Sequence, residues 1–286
     1  MNAKSSELQS TVEERIRAWR IAVEHRAETA TSVLAFGARD GRPVVLKVAR
    51  RAGDEWHSGE VLAAFAGKGV VRILESVHGA VLLERLRPGD SLAGLAIGGD
   101  DDRATAILAD IMSRMSPGAA PGSCPTVQEW GEALTRHASS DDGPIPRPVL
   151  EEARRVHSRM AETQSRPRLL HGDLHHYNVL RDDERGWLAI DPKGVAGEPE
   201  YEVGASLRNP YERPDLFTDR SVIERRVHRF ASELHLDAGR ILAWAFTQAV
   251  LAALWAMEDG EPTRLAQAWL ELADGIRPML KGVVEA

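Results

Sequence analysis

The hydrophobic spacing of this chain changes once, at Arg87-Pro88-Gly89, and that change restricts the fold more than any other feature. Before it, short apolar runs dominate: Ser32 to Ala38, Pro43 to Ala49, Val70 to Ser76 and Ala80 to Leu86. Arg39-Asp40-Gly41-Arg42 parts the first two, and Asp-Gly between β-like runs is a hairpin signal. His78-Gly79 marks a second turn. Leu8, Val12, Ile16 and Trp19 predict an amphipathic helix over Glu7 to Arg26, and a further helix is expected from about Asp54 to Ala66. Beyond Gly89 the helical period takes over, in Arg103 to Met115, Val127 to His137, Pro148 to Thr163, Ile223 to Leu234, Ala238 to Met257 and Thr263 to Ile276. One short strand, Trp187 to Ile190, interrupts them. The expected class is α+β, with a small β-rich N-terminal lobe over residues 1–86 and a large, mainly helical lobe over residues 87–286.

Composition narrows the function. Apolar residues at 43% and charged residues at 28% are ordinary for a globular protein and argue against disorder. A formal charge of −7 disfavours nucleic acid as a partner, because phosphate backbones select basic surfaces, and it is compatible with a small cationic ligand. Cys124 is the one cysteine, so there is neither an intrachain disulfide nor a thiolate metal cage. Met1 to Ser10 is polar and carries no secretory signal, and the apolar stretch Ala243 to Met257 is too short for a membrane span of ~20 residues. A cytoplasmic protein without membrane partners is expected.

The densest chemistry lies in His171-Gly172-Asp173-Leu174-His175-His176-Tyr177-Asn178, followed by a strand that closes on Asp191. Asp173 can accept the proton of a hydroxyl. The Asn178 amide oxygen and the Asp191 carboxylate suit Mg²⁺, a hard cation that prefers oxygen to the nearby imidazoles. Two other readings compete. The loop's histidines can merely satisfy backbone groups, or His171, Asp173, His175 and His176 can ligate Zn²⁺ in a hydrolase. Four ligands so close in sequence rarely converge, which favours the oxygen-ligand reading.

The spacing His-x-Asp-x-x-x-x-Asn, then Asp, resembles the catalytic core of kinase-like phosphotransferases. The resemblance implies a protein-kinase-like two-lobed fold and the cofactors ATP (with GTP left open) and Mg²⁺. Lys47, within Val44-Val45-Leu46-Lys47-Val48, is similar to the third-strand lysine that pairs nucleotide phosphates, and Glu60 is its expected partner. By position, the Glu84 carbonyl and the Leu86 amide would meet the adenine edge. No Gly-x-Gly-x-x-Gly loop precedes Lys47. Thr29-Ala30-Thr31-Ser32 stands there, and Thr31 and Ser32 are expected to bond phosphate oxygens.

Leu169 to His176 together with Gly186 to Gly194 resemble the aminoglycoside phosphotransferases of the streptomycin 6-kinase and hydroxyurea phosphotransferase group, as do Leu207-Arg208-Asn209-Pro210 and Ala252 to Gly260. The likeness implies γ-phosphoryl transfer from ATP to a hydroxyl of streptomycin or a related aminocyclitol, with Asp173 as base, Asn178 and Asp191 on Mg²⁺ and Lys47 on phosphates. A kinase of hydroxyurea or a metabolite alcohol, and an inactive nucleotide-binding scaffold, are the alternatives. Where many relatives carry Asp-Pro-x-Tyr-Asp, this chain reads Glu198-Pro199-Glu200-Tyr201-Glu202. The acids of this segment, Glu202 foremost, and the pair Glu258-Asp259 are candidates to hold a guanidinium. A solvated acidic face is the plainer reading of each, and Trp255 is as easily core as a stacking platform.

Overall fold

A computed structural model describes residues 3–53, 55–115, 119–138, 145–258, 260 and 263–280. Helix α1 (Ala3–Ala18) leads into β1 (Ala22–Glu28), β2 (Ser32–Arg39) and β3 (Arg42–Ala49), then α2 (Ser58–Phe65), β4 (Ile73–Val77) and β5 (Ala80–Glu84). The five strands form one antiparallel sheet in the order β1-β2-β3-β5-β4. Strand side chains alternate faces. Val44, Leu46 and Val48 therefore join Val33, Ala35, Ala80 and Leu82 against Val12 of α1, while Lys47 points to the other face.

The long helix expected from Glu7 to Arg26 is corrected here. It stops at Ala18, Arg20 turns into the left-handed region at φ 53°, and Ala22 onward becomes an edge strand. The apolar helical stripe ends at Trp19, and mostly exposed β1 has no period to reveal it. Backbone pairing with β2 is what makes β1 a strand.

The second half continues through β6 (Pro88–Ser91), α3 (Ala93–Ile97), α4 (Asp101–Arg114), α5 (Val127–Ala138), α6 (Arg147–Glu162), β7 (Arg168–Leu170), β8 (Val179–Asp182), β9 (Gly186–Ala189) and β10 (Val195–Gly197). It closes with α7 (Pro199–Leu207), α8 (Pro214–Phe217), α9 (Arg220–Leu234), α10 (Ala238–Glu258) and α11 (Thr263–Ile276). Helix α10 is apolar almost all round because α6, α7, α9 and α11 pack about it. It runs 21 residues, long and apolar enough to span a bilayer by length and composition, yet most of it is buried in the protein core. The small ladders β7–β10 and β6–β8–β9 frame the loop of residues 171–178.

The stretch that sequence reads as an acidic surface is different in space. Every residue of α7 is buried, because α7 lies between α10, α9 and β7. Helix α9 turns Val222, Ile223, Val227 and Phe230 inward, with one buried ion pair among them. Arg226, 2% exposed, donates to both Asp101 oxygens (3.1 and 2.5 Å) and to the carbonyls of Ser206 and Asn209.

Candidate active site

β7 and β10 pair with Leu170 opposite Val195, and the N–H groups of Lys193 and Gly194 donate to the His171 carbonyl at 2.9 and 3.0 Å. That pairing seats both ends of the loop. Gly172 takes φ 82°, and a Cβ there would crowd Trp130 and Val195 at 3.1 Å, so the position needs glycine. His171 is wholly buried. Its Nε2 bonds the Ile190 carbonyl at 2.9 Å, and burial pushes its pKa down to about 4, so the ring is neutral near pH 7. With Nε2 protonated, Nδ1 accepts the Asp173 N–H at 3.4 Å.

Glu202, expected to face substrate, is 4% exposed and reaches the loop from beneath. Its carboxylate accepts the N–H groups of His171 (2.6 Å) and Gly172 (3.0 Å). Burial raises its pKa to about 7 against the pull of those two bonds. Glu202 is a positioning residue for the loop.

The Asp173 carboxylate meets Arg208 Nη2 at 3.1 Å and His175 Nε2 at 3.4 Å. Burial alone would raise its pKa, but His175, Arg208 and Lys193 together hold it well below the ordinary value. Asn178 donates its amide N–H to the Asp173 carbonyl at 3.0 Å, which leaves its oxygen available as an acceptor. Asp191 sits in the left-handed region at φ 59°, uncommon outside glycine, and its carboxylate pairs with Lys47. Burial opposes ionisation of Asp191 too, and Lys47 and Lys193 outweigh it.

Lys47 does not meet Glu60. Its second partner is Glu55, 8% exposed, at 3.2 Å, and Glu55 also accepts Thr31 Oγ1 at 2.7 Å and faces Lys193 at 3.6 Å. Helix α2 begins at Ser58 after a turn over Glu55 to His57, so the acid that reaches Lys47 lies in the turn before the helix; Asp54, its expected start, lies outside the described residues. Glu60 instead points to the surface, towards His57, His78 and Ser123. Ser32 is 1% exposed and bonds Thr29, whereas Thr31 lines the cleft. The Glu84 side chain bonds the Arg72 N–H at 2.8 Å and pairs with Arg185, tying the end of β5 to the β8–β9 turn, and Leu86 is buried. Glu258 lines the cleft and bonds His137 Nε2 at 2.8 Å, while Asp259 lies outside the described residues.

The histidines of the loop diverge. His171 turns to Ile190, and His176 is fully buried and kept neutral by that burial, so the Zn²⁺ set does not assemble. Sequence reasoning missed Glu55, Arg208 and the clamp by Glu202, whose partners lie 8 to 35 residues away and carry no local pattern.

Two open cavities meet at Asp173, Arg208 and Trp255. One, of about 750 Å³, is walled by Thr31, Glu55, Lys193 and Glu258. The other, of about 980 Å³, is walled by His175, Tyr177, Tyr211 and Trp269. Trp255 thus faces both cavities, although it also packs against the core.

A two-lobed fold with a loop aspartate, a following Asn and Asp, and a strand lysine paired with the second Asp defines a protein-kinase-like phosphotransferase acting on a hydroxyl. Solved structures agree in fold. Aminoglycoside phosphotransferase APH(4)-Ia superposes with a TM-score of 0.66 over 94% of this chain and 98% of its own, at 19% identity. Choline kinase LicA from Streptococcus pneumoniae gives 0.63 over 95% and 99%, at 16%. The chain belongs to the aminoglycoside/hydroxyurea antibiotic resistance kinases, whose family description matches residues 19–260. Among its relatives, streptomycin 3''-kinase of Klebsiella pneumoniae is 33% identical over 85% of this chain and 91% of its own. Streptomycin 6-kinase of Streptomyces griseus is 32% identical over 75% and 71%. Hydroxyurea phosphotransferase of Kitasatospora aureofaciens is 33% identical over 78% and 64%.

Proposed function

We propose that this enzyme transfers the γ-phosphoryl group of ATP to a hydroxyl of streptomycin or a closely related aminocyclitol. The observation that carries the reading is the convergence of Lys47, Glu55, Asp173, Asn178 and Asp191, of which Glu55 lines one and Asp173 lines both of two cavities large enough for the two substrates. Support for the acceptor comes from the streptomycin kinases at 30–33% identity. Support for the nucleotide comes from the ternary complex of an APH(4)-Ia variant with ADP and hygromycin B, a neighbour of the same fold.

Asp173 orients the acceptor hydroxyl and accepts its proton as transfer proceeds. Its depressed pKa makes it a weak base, which suits a transition state with little bond formation to the nucleophile. Arg208 occupies Asp173 Oδ1 without acceptor, so the incoming hydroxyl either displaces Arg208 or uses Oδ2. Lys47, paired with Glu55, would hold nucleotide phosphates, with Thr31 and Lys193 lining the cleft beside Glu55, and the Glu84 carbonyl and Leu86 amide would meet the adenine edge. The Asn178 oxygen and Asp191 carboxylate fit Mg²⁺, since the Asn178 nitrogen is already engaged, Lys47 takes only Asp191 Oδ1, and the atoms left are hard oxygens. Mg²⁺, when bound there, would neutralise charge on the phosphates.

The test is ATP-dependent turnover of streptomycin, hydroxyurea and small amino alcohols, with product position read by NMR. Asp173→Asn is expected to cut kcat by ~10²–10⁴-fold while ATP affinity stays within about threefold. Turnover of hydroxyurea but not streptomycin would replace the acceptor assignment. A change in kcat below threefold in Asp173→Asn would remove the base.

A further inference from the structure

Glu60, left outside the phosphotransfer centre, belongs to a second constellation. Glu60 Oε1 lies 3.2 Å from His57 Nδ1 and 3.4 Å from His78 Nε2, and the three ligand atoms all fall within 4.8 Å of one another. A tetrahedral zinc site with bonds of about 2.0–2.2 Å has ligand–ligand edges of about 3.3–3.6 Å. Both measured edges are close to that value. The imidazoles approach edge-on rather than stacked, with centroids 5.2 Å apart and planes at 66°.

The arrangement is built by the backbone. His57 occupies the N-cap position of α2 but makes no capping hydrogen bond, and three residues on Glu60 shares its face of the helix. His78 comes from the β4–β5 turn, which is locked to the same segment. Gly79 N–H donates to the Trp56 carbonyl at 3.0 Å, and a Cβ on Gly79 would strike the Trp56 ring at 2.5 Å. The neighbours of His57 and His78 in sequence are thus pinned together. Ser123 Oγ donates to Glu60 Oε2 at 2.6 Å, which orients the carboxylate so that Oε1 faces both rings.

We propose that His57, Glu60 and His78 form a binding site for a borderline divalent transition cation of the Zn²⁺ class, with water as the fourth ligand. Two imidazoles and a carboxylate are the ligand types such a cation prefers and Mg²⁺ does not. The ion would clip the β4–β5 turn to the segment that carries Glu55. It is separate from the oxygen pair Asn178 and Asp191.

The experiment uses the full, tag-free chain, stripped of metal and held in excess Mg²⁺. Zn²⁺ is titrated against a chromophoric chelator, and Co²⁺ is titrated by visible absorption. One Zn²⁺ per chain is expected, with the strong d–d bands of four-coordinate cobalt. His78→Ala and Glu60→Gln should each weaken Zn²⁺ by at least about tenfold, and Asp191→Ala should not. His78 is exposed in a turn, so its removal leaves folding out of the comparison. Equal Zn²⁺ affinity in His78→Ala and wild type, a six-coordinate cobalt spectrum, or loss of binding in Asp191→Ala alone would each overturn the site.

Discussion

Replacing Glu202 by glutamine tests whether that carboxylate supports the loop or the substrate. Folding raises its pKa from 4.5 to about 7, because burial outweighs the two N–H bonds it accepts. A group whose folded pKa is raised contributes stability that is complete below the unfolded value and lost as pH rises through the folded one. At about 1.4 kcal/mol per tenfold change in proton affinity, wild type should lose about 3 kcal/mol from this group between roughly pH 4.5 and 7.5. Glutamine cannot titrate, so Glu202→Gln should lack that slope. It also presents an amide N–H₂ to one of the two loop donors, which costs on the order of 1–3 kcal/mol at any pH. The assay is urea denaturation of both proteins from pH 5 to 8, read as the difference between them. The histidines that burial also shifts, His157, His171 and His176, cancel in that difference. The gap between the proteins should be widest at pH 5 and narrow by about 2.5 kcal/mol towards pH 8, on the order of 5–10 °C in Tm. In kinetics the variant should lose kcat more than it raises acceptor KM, since the loop carries Asp173. A pH-independent difference together with a pure KM effect would return Glu202 to the substrate.

Three other outcomes follow from particular contacts. Glu55→Gln removes the charge facing Lys47 and Lys193 and should weaken ATP by about 10–150-fold, the scale of one charged hydrogen bond, whereas Glu60→Gln in chelated buffer should fall at least fivefold short of that loss. Isothermal titration decides, and equal losses would restore Glu60 as the partner. Arg226→Met strands Asp101 in the core with only Arg225 beside it at 2.9 Å, and should cost about 3 kcal/mol in urea unfolding at unchanged m-value; a loss under 1 kcal/mol would contradict the buried-pair account. If Glu258 attracts a cationic acceptor, Glu258→Gln should raise KM by ~5–10-fold, and wild-type KM should climb with salt over a screening length of ~8–10 Å. A flat salt response would make Glu258 a solvated acid.

Some of the site is readable in one dimension because it is assembled from one stretch of chain. His171 to Asp191 spans a loop and a hairpin, so the spacing of Asp173, Asn178 and Asp191 carries their geometry directly. Lys47 is legible for the same reason, as the one charge between Pro43 and Ala49 in an alternating strand whose flanking residues must face the α1 side. The helices with clean apolar stripes, such as Thr263 to Ile276, also appear where their period places them. Partners across the fold are another matter. A carboxylate has no sequence mark that distinguishes a cation's partner from a solvated acid, and only packing decides whether water reaches it. Packing buried Glu202 under the loop, moved the Lys47 partner from Glu60 to Glu55, and brought Arg208 onto Asp173. It also made an edge strand of Ala22 to Glu28, whose order comes from pairing with β2 and from no period of its own.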